Sequence, residues 1–393
     1  SFEQSPPDLK KISAYGENDL ERYWDLVKNA FYSRASDTLN WVMLSSGWDS
    51  TFGLSLLRQG YEAEKVRAVT LQLEHSSRSG SHNLVEVERA RKIAKYFGVK
   101  HDVISVGVGS TDTLSSWERA RKTSAKNHIF GYTYYCMNMA ARHVKKFGVE
   151  GQALFNMECS DSLHNFGFSQ FISIMHQNFN FREYADKMYN YLYGPSFLKS
   201  VEDGIYTQDS VYKIIQHLNG VDNFEDVSNL SRNKKLQSYL LPLFFGGSYA
   251  GRIPFHRLDV QRFMTENGES RFKNWAFDNY IDPMIGHISS ENFYSVIVWL
   301  YHHFHLQGST VSSVGGAMDE QGIQWRMPFI DGGVNDFLSC MPETWGRGLN
   351  YAHTKYPLKW AIFNKVDYPV DILWGNNYGM DNRSSDVHSY ISE

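Results

Sequence analysis

The run Ser45-Ser46-Gly47-Trp48-Asp49-Ser50-Thr51 lies between an apolar strand-like stretch, Trp41-Val42-Met43-Leu44, and a helical pattern beginning near Thr51. Small and hydroxyl-bearing residues at a strand-to-helix turn bring backbone N–H groups to one point, and the helix dipole adds partial positive charge there. The chemistry this serves is anion binding. Asp49 stands beside the turn as a carboxylate able to hold the magnesium ion that a polyphosphate carries. The run is not a Walker A loop, because no lysine follows its glycine.

A second place of this kind follows the apolar run Gln152-Ala153-Leu154-Phe155-Asn156-Met157, where the sequence turns to Glu158-Cys159-Ser160-Asp161-Ser162. The first run resembles the PP-loop, SGGxDS, of the ATP pyrophosphatase superfamily, with Ser46 at the first glycine. The second resembles GEG(S/A)DE of asparagine synthetases, with Cys159 at a glycine and Ser162 at a glutamate. Glu21-Arg22-Tyr23-Trp24-Asp25 and Ser36-Asp37 resemble the YWxL and SDVPV segments. Later, Trp325-Arg326-Met327-Pro328-Phe329-Ile330-Asp331 resembles xRxPFLD, and Thr354-Lys355-Tyr356-Pro357-Leu358-Lys359 resembles K-x-x-L-R.

On these landmarks the chain is similar to the asparagine synthetase-type synthetase domain, a class that includes β-lactam synthetase and the lasso-peptide cyclases. The resemblance implies cleavage of ATP between its α- and β-phosphates, with adenylation of a substrate carboxylate and transfer of the acyl group to ammonia or an amine. It implies nucleotide contacts from Leu44, Ser45, Ser46, Gly47, Asp49, Ser50, Thr51, Ser160 and Lys355, and magnesium between Asp49 and Asp161. Glu158 is implied as the acid/base residue, and Lys355 as the catalytic cation that neutralises pyrophosphate.

The departures concern the acyl acceptor. The family has a lysine in a WRxKxxF-like segment, whereas Leu373-Trp374-Gly375-Asn376-Asn377-Tyr378 contains none. Gln324 stands for the usual glutamate before the motif arginine, and Val314-Gly315-Gly316 replaces an Asp-Arg pair. Charge for the tetrahedral intermediate must then come from Arg326, Lys359 or the substrate, and asparagine is in doubt as the product. A catalytically altered nucleotide binder and a PP-loop enzyme acting on another substrate class are the alternatives.

Net charge of −4 gives no basic footprint for a phosphate backbone, which counts against nucleic acid and the tRNA-modifying enzymes. Three cysteines without paired spacing point to a reducing compartment, and Cys159 reads as a small residue filling a glycine site. With no membrane-spanning run and no leader, the expected location is cytoplasmic. The sequence opens without the family's glutaminase, so the nitrogen donor is expected to be free ammonia, a substrate amine or ammonia from a separate glutaminase. His302, His303 and His305 fall on different helical faces and read as no metal site. Lys65, Arg67, Arg89, Arg91 and Lys92 read as a solvated face, Gly246-Gly247, Gly315-Gly316 and Gly332-Gly333 as turns, and Arg78 as a loop candidate for touching ATP or substrate.

The elements that must hold these residues follow from periodicity. Strands are predicted at 41–44, 66–73, 103–106 and 153–157, alternating with helices at 51–59, 84–97 and 132–147. The fold class expected is α/β, a doubly wound parallel sheet of PP-loop type with ligands at the strands' carboxyl ends. Residues 1–37 read as a lead-in with one amphipathic helix, 38–165 as the nucleotide-binding α/β region, and 166–393 as a helical subdomain completing the site.

Overall fold

The computed structural model describes residues 16–76, 80–81, 83–107, 118, 122, 132–165, 191–218, 223–245, 265–301, 310–341 and 355–373. The expectations for Arg78, for Gly246-Gly247, for His302 to His305 and for most of 166–190 and 374–393 lie outside the described residues.

The sheet comprises β1 (Asn40–Met43), β2 (Val66–Ser76), β3 (Gly80–Ser81), β4 (Lys100–Gly107), β5 (Ala153–Phe155) and β6 (Gln324–Arg326). Its order is β3-β2-β1-β5-β6 with β4 also on β2, and every pairing is parallel except that of β3 with β2. The chain builds outward from β1 through β2 to β4, then returns to lay β5 on the other side of β1. The crevice between the carboxyl ends of β1 and β5 is therefore the topological switch point, where open α/β sheets take their ligands.

Helices α1 (Glu17–Tyr32), α2 (Trp48–Gly60), α3 (Leu84–Tyr96), α4 (Tyr132–Lys145) and α5 (Ser160–Asn165) alternate with or flank these strands. The inner strands carry apolar side chains on both faces, as a covered parallel sheet requires: Trp41, Val42, Leu154 and Phe155 have no exposed surface. Phe31 of α1 stacks on Phe155 at 5.9 Å and meets Phe52 of α2 edge-on at 6.1 Å. At the amino ends of the strands Arg67, read above as part of a solvated face, is mostly buried. It makes two 2.8 Å hydrogen bonds to Asp102 and lies over the Trp41 and Phe147 rings.

Beyond the α/β region come α6 (Pro195–Asp203), α7 (Ser210–Leu218), α8 (Arg232–Phe245), α9 (Glu266–Ala276) and α10 (Phe293–Tyr301). Tyr206, Tyr212, Tyr239 and Phe197 form an aromatic cluster among α6, α7 and α8, and burial raises the Tyr206 phenol to about 12. Four elements then return toward the sheet: α11 (Ser312–Gln321), β6, α12 (Gly332–Ser339) and α13 (Tyr356–Lys365). So the sheet draws a strand from the stretch expected to be helical. The Gly315-Gly316 pair lies inside α11 rather than in a turn, and at 315 glycine leaves room for the Trp325 ring, which a Cβ would approach to 2.7 Å. Gly332-Gly333 opens α12, whose N-cap Asp331 accepts from the Gly333 and Val334 amides. No described helix is long and apolar enough to cross a membrane.

Candidate active site

The first wall of the crevice is the turn from β1 into α2. Leu44 is buried, its amide donating to Val69 O and its carbonyl accepting from Thr70 Oγ1 at 2.6 Å. Ser45 N donates to Ser50 Oγ, the two hydroxyls lie 3.1 Å apart, and Ser50 Oγ donates to Gly47 O, so these serines close the turn on itself. Ser46 takes φ +61°, the left-handed region that glycine enters without a Cβ penalty. Gly47 is the N-cap of α2, which begins at Trp48, earlier than its apolar pattern implied. Asp49 therefore sits in the first helical turn, where backbone N–H groups lack intrahelical acceptors and the dipole favours an anion. Thr51 is buried behind it.

The second wall follows β5. Asn156 Oδ1 accepts from the Glu158 amide at 2.8 Å, leaving the Glu158 residue exposed, and Cys159 adopts φ +75° before α5 starts at Ser160. Ser46 and Cys159, at positions where the family pattern has glycine, thus both take the left-handed backbone. Ser160 Oγ donates to Asp49 Oδ1 at 2.7 Å across the crevice. Asp161 lies in α5 directly after Ser160, its side chain outside the described residues. The walls meet closely: a Cβ at Gly53 would be 2.3 Å from Met157 Cε.

The third wall is the N-terminus of α13. Lys355, with φ +56°, extends its ammonium to both Asp49 oxygens at 3.0 and 2.8 Å. Among the described non-glycine residues, only Ser46, Cys159 and Lys355 take positive φ. All three border this crevice, and backbone strain concentrated at one site is a mark of function. Trp48 stacks on Tyr368 with centroids 5.4 Å apart, fixing α2 against the segment after α13. Burial, with the nearby Asp49 charge, holds the Tyr368 and Tyr23 phenols well above the ordinary tyrosine value.

The sequence brought Asp49, Ser160 and Lys355 forward from separate motifs, and the structure joins them by hydrogen bonds. It does not aim Arg326 at them. That guanidinium donates to Arg34 O, Trp325 O and Gln324 Oε1, clasping β6 to the segment after α1. Gln324 keeps an acceptor where the family has a carboxylate. Sequence reasoning placed Tyr23 in a family landmark without giving it a site role, and passed over His164 and Tyr368; the spacing of His164 four residues after Ser160, which places both on one helical face, was the available signal.

An open parallel sheet with a Ser/Gly turn at its switch point, faced by a carboxylate and a lysine, defines an α/β nucleotide-site protein of PP-loop type. The chain belongs to the asparagine synthase family, whose sequence model matches residues 25–374. No curated protein matches it. Among solved structures it is similar to an NMN synthetase from Francisella tularensis, at 11% identity and TM-score 0.25 over 39% of this chain and 61% of that one. It is similar to a glutamine-dependent NAD+ synthetase from Acinetobacter baumannii in complex with ADP, at 12% identity and TM-score 0.27 over 53% and 46% of the two chains. An NH3-dependent NAD synthetase from Campylobacter jejuni in complex with nitrate matches at 11% identity and TM-score 0.26 over 70% and 98%. The chain thus spans less than two thirds of the first two relatives.

Proposed function

We propose that the protein is an ATP-dependent carbon–nitrogen ligase, which adenylates a substrate carboxylate and transfers the acyl group to ammonia or an amine. The observation that carries the reading is the convergence of Asp49, Ser160 and Lys355 at the switch point, from three remote segments that each match a family motif. In this reading the N–H groups of the Ser45–Ser50 turn and the start of α2 receive the pyrophosphate. Lys355, on a half-buried stem, neutralises charge as the α–β bond breaks, which is electrostatic catalysis by a positioned cation. The substrate carboxylate attacks the α-phosphorus, pyrophosphate leaves, and the nitrogen nucleophile then displaces AMP. Glu158, exposed on its turn, accepts the proton the nitrogen loses.

Magnesium suits the donors present. It prefers hard oxygen ligands and takes one or two carboxylates together with phosphates and waters, so Asp49 and Asp161 would suffice to hold it without a larger cage. Bound there, the ion would supply positive charge to the polyphosphate. The test is incubation with magnesium, α-labelled ATP and a panel of amino acid, uronic acid and peptide carboxylates. AMP and pyrophosphate are expected, and Asp49→Ala should abolish them while the protein stays folded. ADP and phosphate from every active substrate would sink the proposal.

A second reading rests on the lysine-free stretch at 373–378 and on the engagement of Arg326 elsewhere. It makes the protein a nucleotide-binding module without turnover. ATP–pyrophosphate exchange separates the two, since a silent binder shows affinity and no exchange.

A further inference from the structure

Behind the Asp49–Ser160 contact lies a buried chain of polar groups that the reaction above does not use. His164 Nδ1 is 2.7 Å from Ser160 O and 3.4 Å from Ser160 Oγ, and Tyr23 Oη is 2.7 Å from His164 Nε2. Tyr23 and His164 have no exposed surface and Ser160 has 1%, with Phe329 and Phe337 as aromatic walls.

The direction of each hydrogen bond follows from the chemistry. A carbonyl oxygen only accepts, so the proton of a neutral imidazole is on Nδ1 and is shared between the Ser160 carbonyl and hydroxyl oxygens. Nε2 is then an acceptor, and it faces a phenol whose proton is retained because burial and the Asp49 charge raise its pKa. The Ser160 hydroxyl, its oxygen lone pairs turned toward Nδ1–H, directs its own proton to Asp49. Every hydrogen along Tyr23, His164, Ser160 and Asp49 points the same way, the arrangement in which buried hydrogen bonds reinforce one another.

We infer that Tyr23 and His164 are positioning residues: through Ser160 they fix the Asp49 carboxylate for the nucleotide and its cation, linking the placement of α1 to the occupancy of the switch point. The inference rests on the nucleotide reading of that site. Neither residue touches the crevice, so neither is a catalytic residue.

The experiment is calorimetric titration of the intact protein with magnesium and the non-cleavable α,β-methylene analogue of ATP. Tyr23→Phe should weaken binding roughly tenfold, the scale of one hydrogen bond lost from a buried network. Tyr239→Phe removes an equally buried phenol that donates to Leu192 O, far along the chain from the motifs, and should stay within about twofold. In a Ser160→Ala background the Tyr23→Phe effect should shrink below about twofold, because the path to Asp49 is already cut.

His164→Asn keeps a donor near the Nδ1 position but no acceptor that reaches Tyr23, so it should lose about tenfold, as Tyr23→Phe does, whereas His164→Leu also gives up the donor to Ser160 and should lose about a hundredfold. This pair also carries the test if Tyr23→Phe does not fold. Failure of the wild-type protein to bind the analogue would remove the nucleotide reading itself. With wild-type binding intact, Tyr23→Phe behaving like Tyr239→Phe, an undiminished effect in the Ser160→Ala background, or Asn and Leu being equivalent at 164 would each overturn the positioning role alone.

Discussion

Ser46 offers a prediction whose size can be worked from its surroundings. Its φ of +61° costs a residue bearing a Cβ about 1–2 kcal/mol. Its hydroxyl is buried with no hydrogen-bond partner among the described residues, which costs about 1–3 kcal/mol more. Ser46→Gly relieves both terms but frees the unfolded chain, which takes back about 0.4–1 kcal/mol. The balance is a stabilisation of about 1–5 kcal/mol. With about 2.1 cal/mol/K of unfolding entropy per residue over 393 residues, this raises the thermal midpoint by about 1–6 °C. Denaturant titration gives the cleaner value. Ser46→Ala separates the terms, since it removes the hydroxyl and keeps the Cβ at positive φ, so the expected order of stability is Gly above Ala above Ser. A wild-type protein more stable than both variants would mean that the hydroxyl is satisfied and the backbone relaxed, and the strain argument would fail.

Other consequences can be checked alongside. Cys159→Gly relieves a φ of +75° but removes a buried thiol, so it should change stability by less than about 1 kcal/mol in a urea titration. Gly315→Ala gains helix propensity of about 1 kcal/mol but drives a methyl to 2.7 Å from the Trp325 ring, and a net loss of about 1–2 kcal/mol should appear as a lower urea midpoint. At Asp102, burial pushes the carboxyl up, but hydrogen bonds and charge from Arg67 and His143 overcome it and hold the pKa below the usual range. Its stabilisation is thus complete above an unfolded-state pKa of about 3.9 and is lost as pH falls through the lower folded value. Asp102→Asn should lower stability at neutral pH by about 1–3 kcal/mol and flatten the acid limb of a pH–stability curve.

The parallel sheet and the two motif turns were legible because strands buried on both faces leave continuous apolar runs, and the turns after them need small residues. β6 was not legible. Gln324-Trp325-Arg326 is three residues long, carries two polar side chains, and earns its place by pairing with β5, which no local pattern encodes. The start of α2 was set too late because Trp48 and Asp49 make their contacts with remote segments, Tyr368 for the one and Ser160 and Lys355 for the other, which the local apolar stripe does not encode. At the crevice, the sequence supplied Asp49, Ser160 and Lys355 as members of separate motifs, while their hydrogen bonds depend on the sheet order. His164 escaped because a lone histidine on an apolar helical face is ordinarily a packed core residue, and its link to Tyr23 spans 141 positions. Arg67 was misread as solvated for a similar reason, since Asp102 reaches it only through the register of β2 with β4.

The Lys355–Asp49 ion pair joins residues 306 positions apart. A ribosome adding about 5–20 residues per second needs roughly 15–60 s to deliver the second partner after the first. During that interval the nascent sheet also lacks β6, and its β5 edge stays unpaired on that side. Asp49 meanwhile carries its charge without the lysine that will meet it. A chain interrupted at any point before Lys355 can hold most of the sheet and still have no assembled crevice, so the site forms only on a product of translation that has reached Lys355.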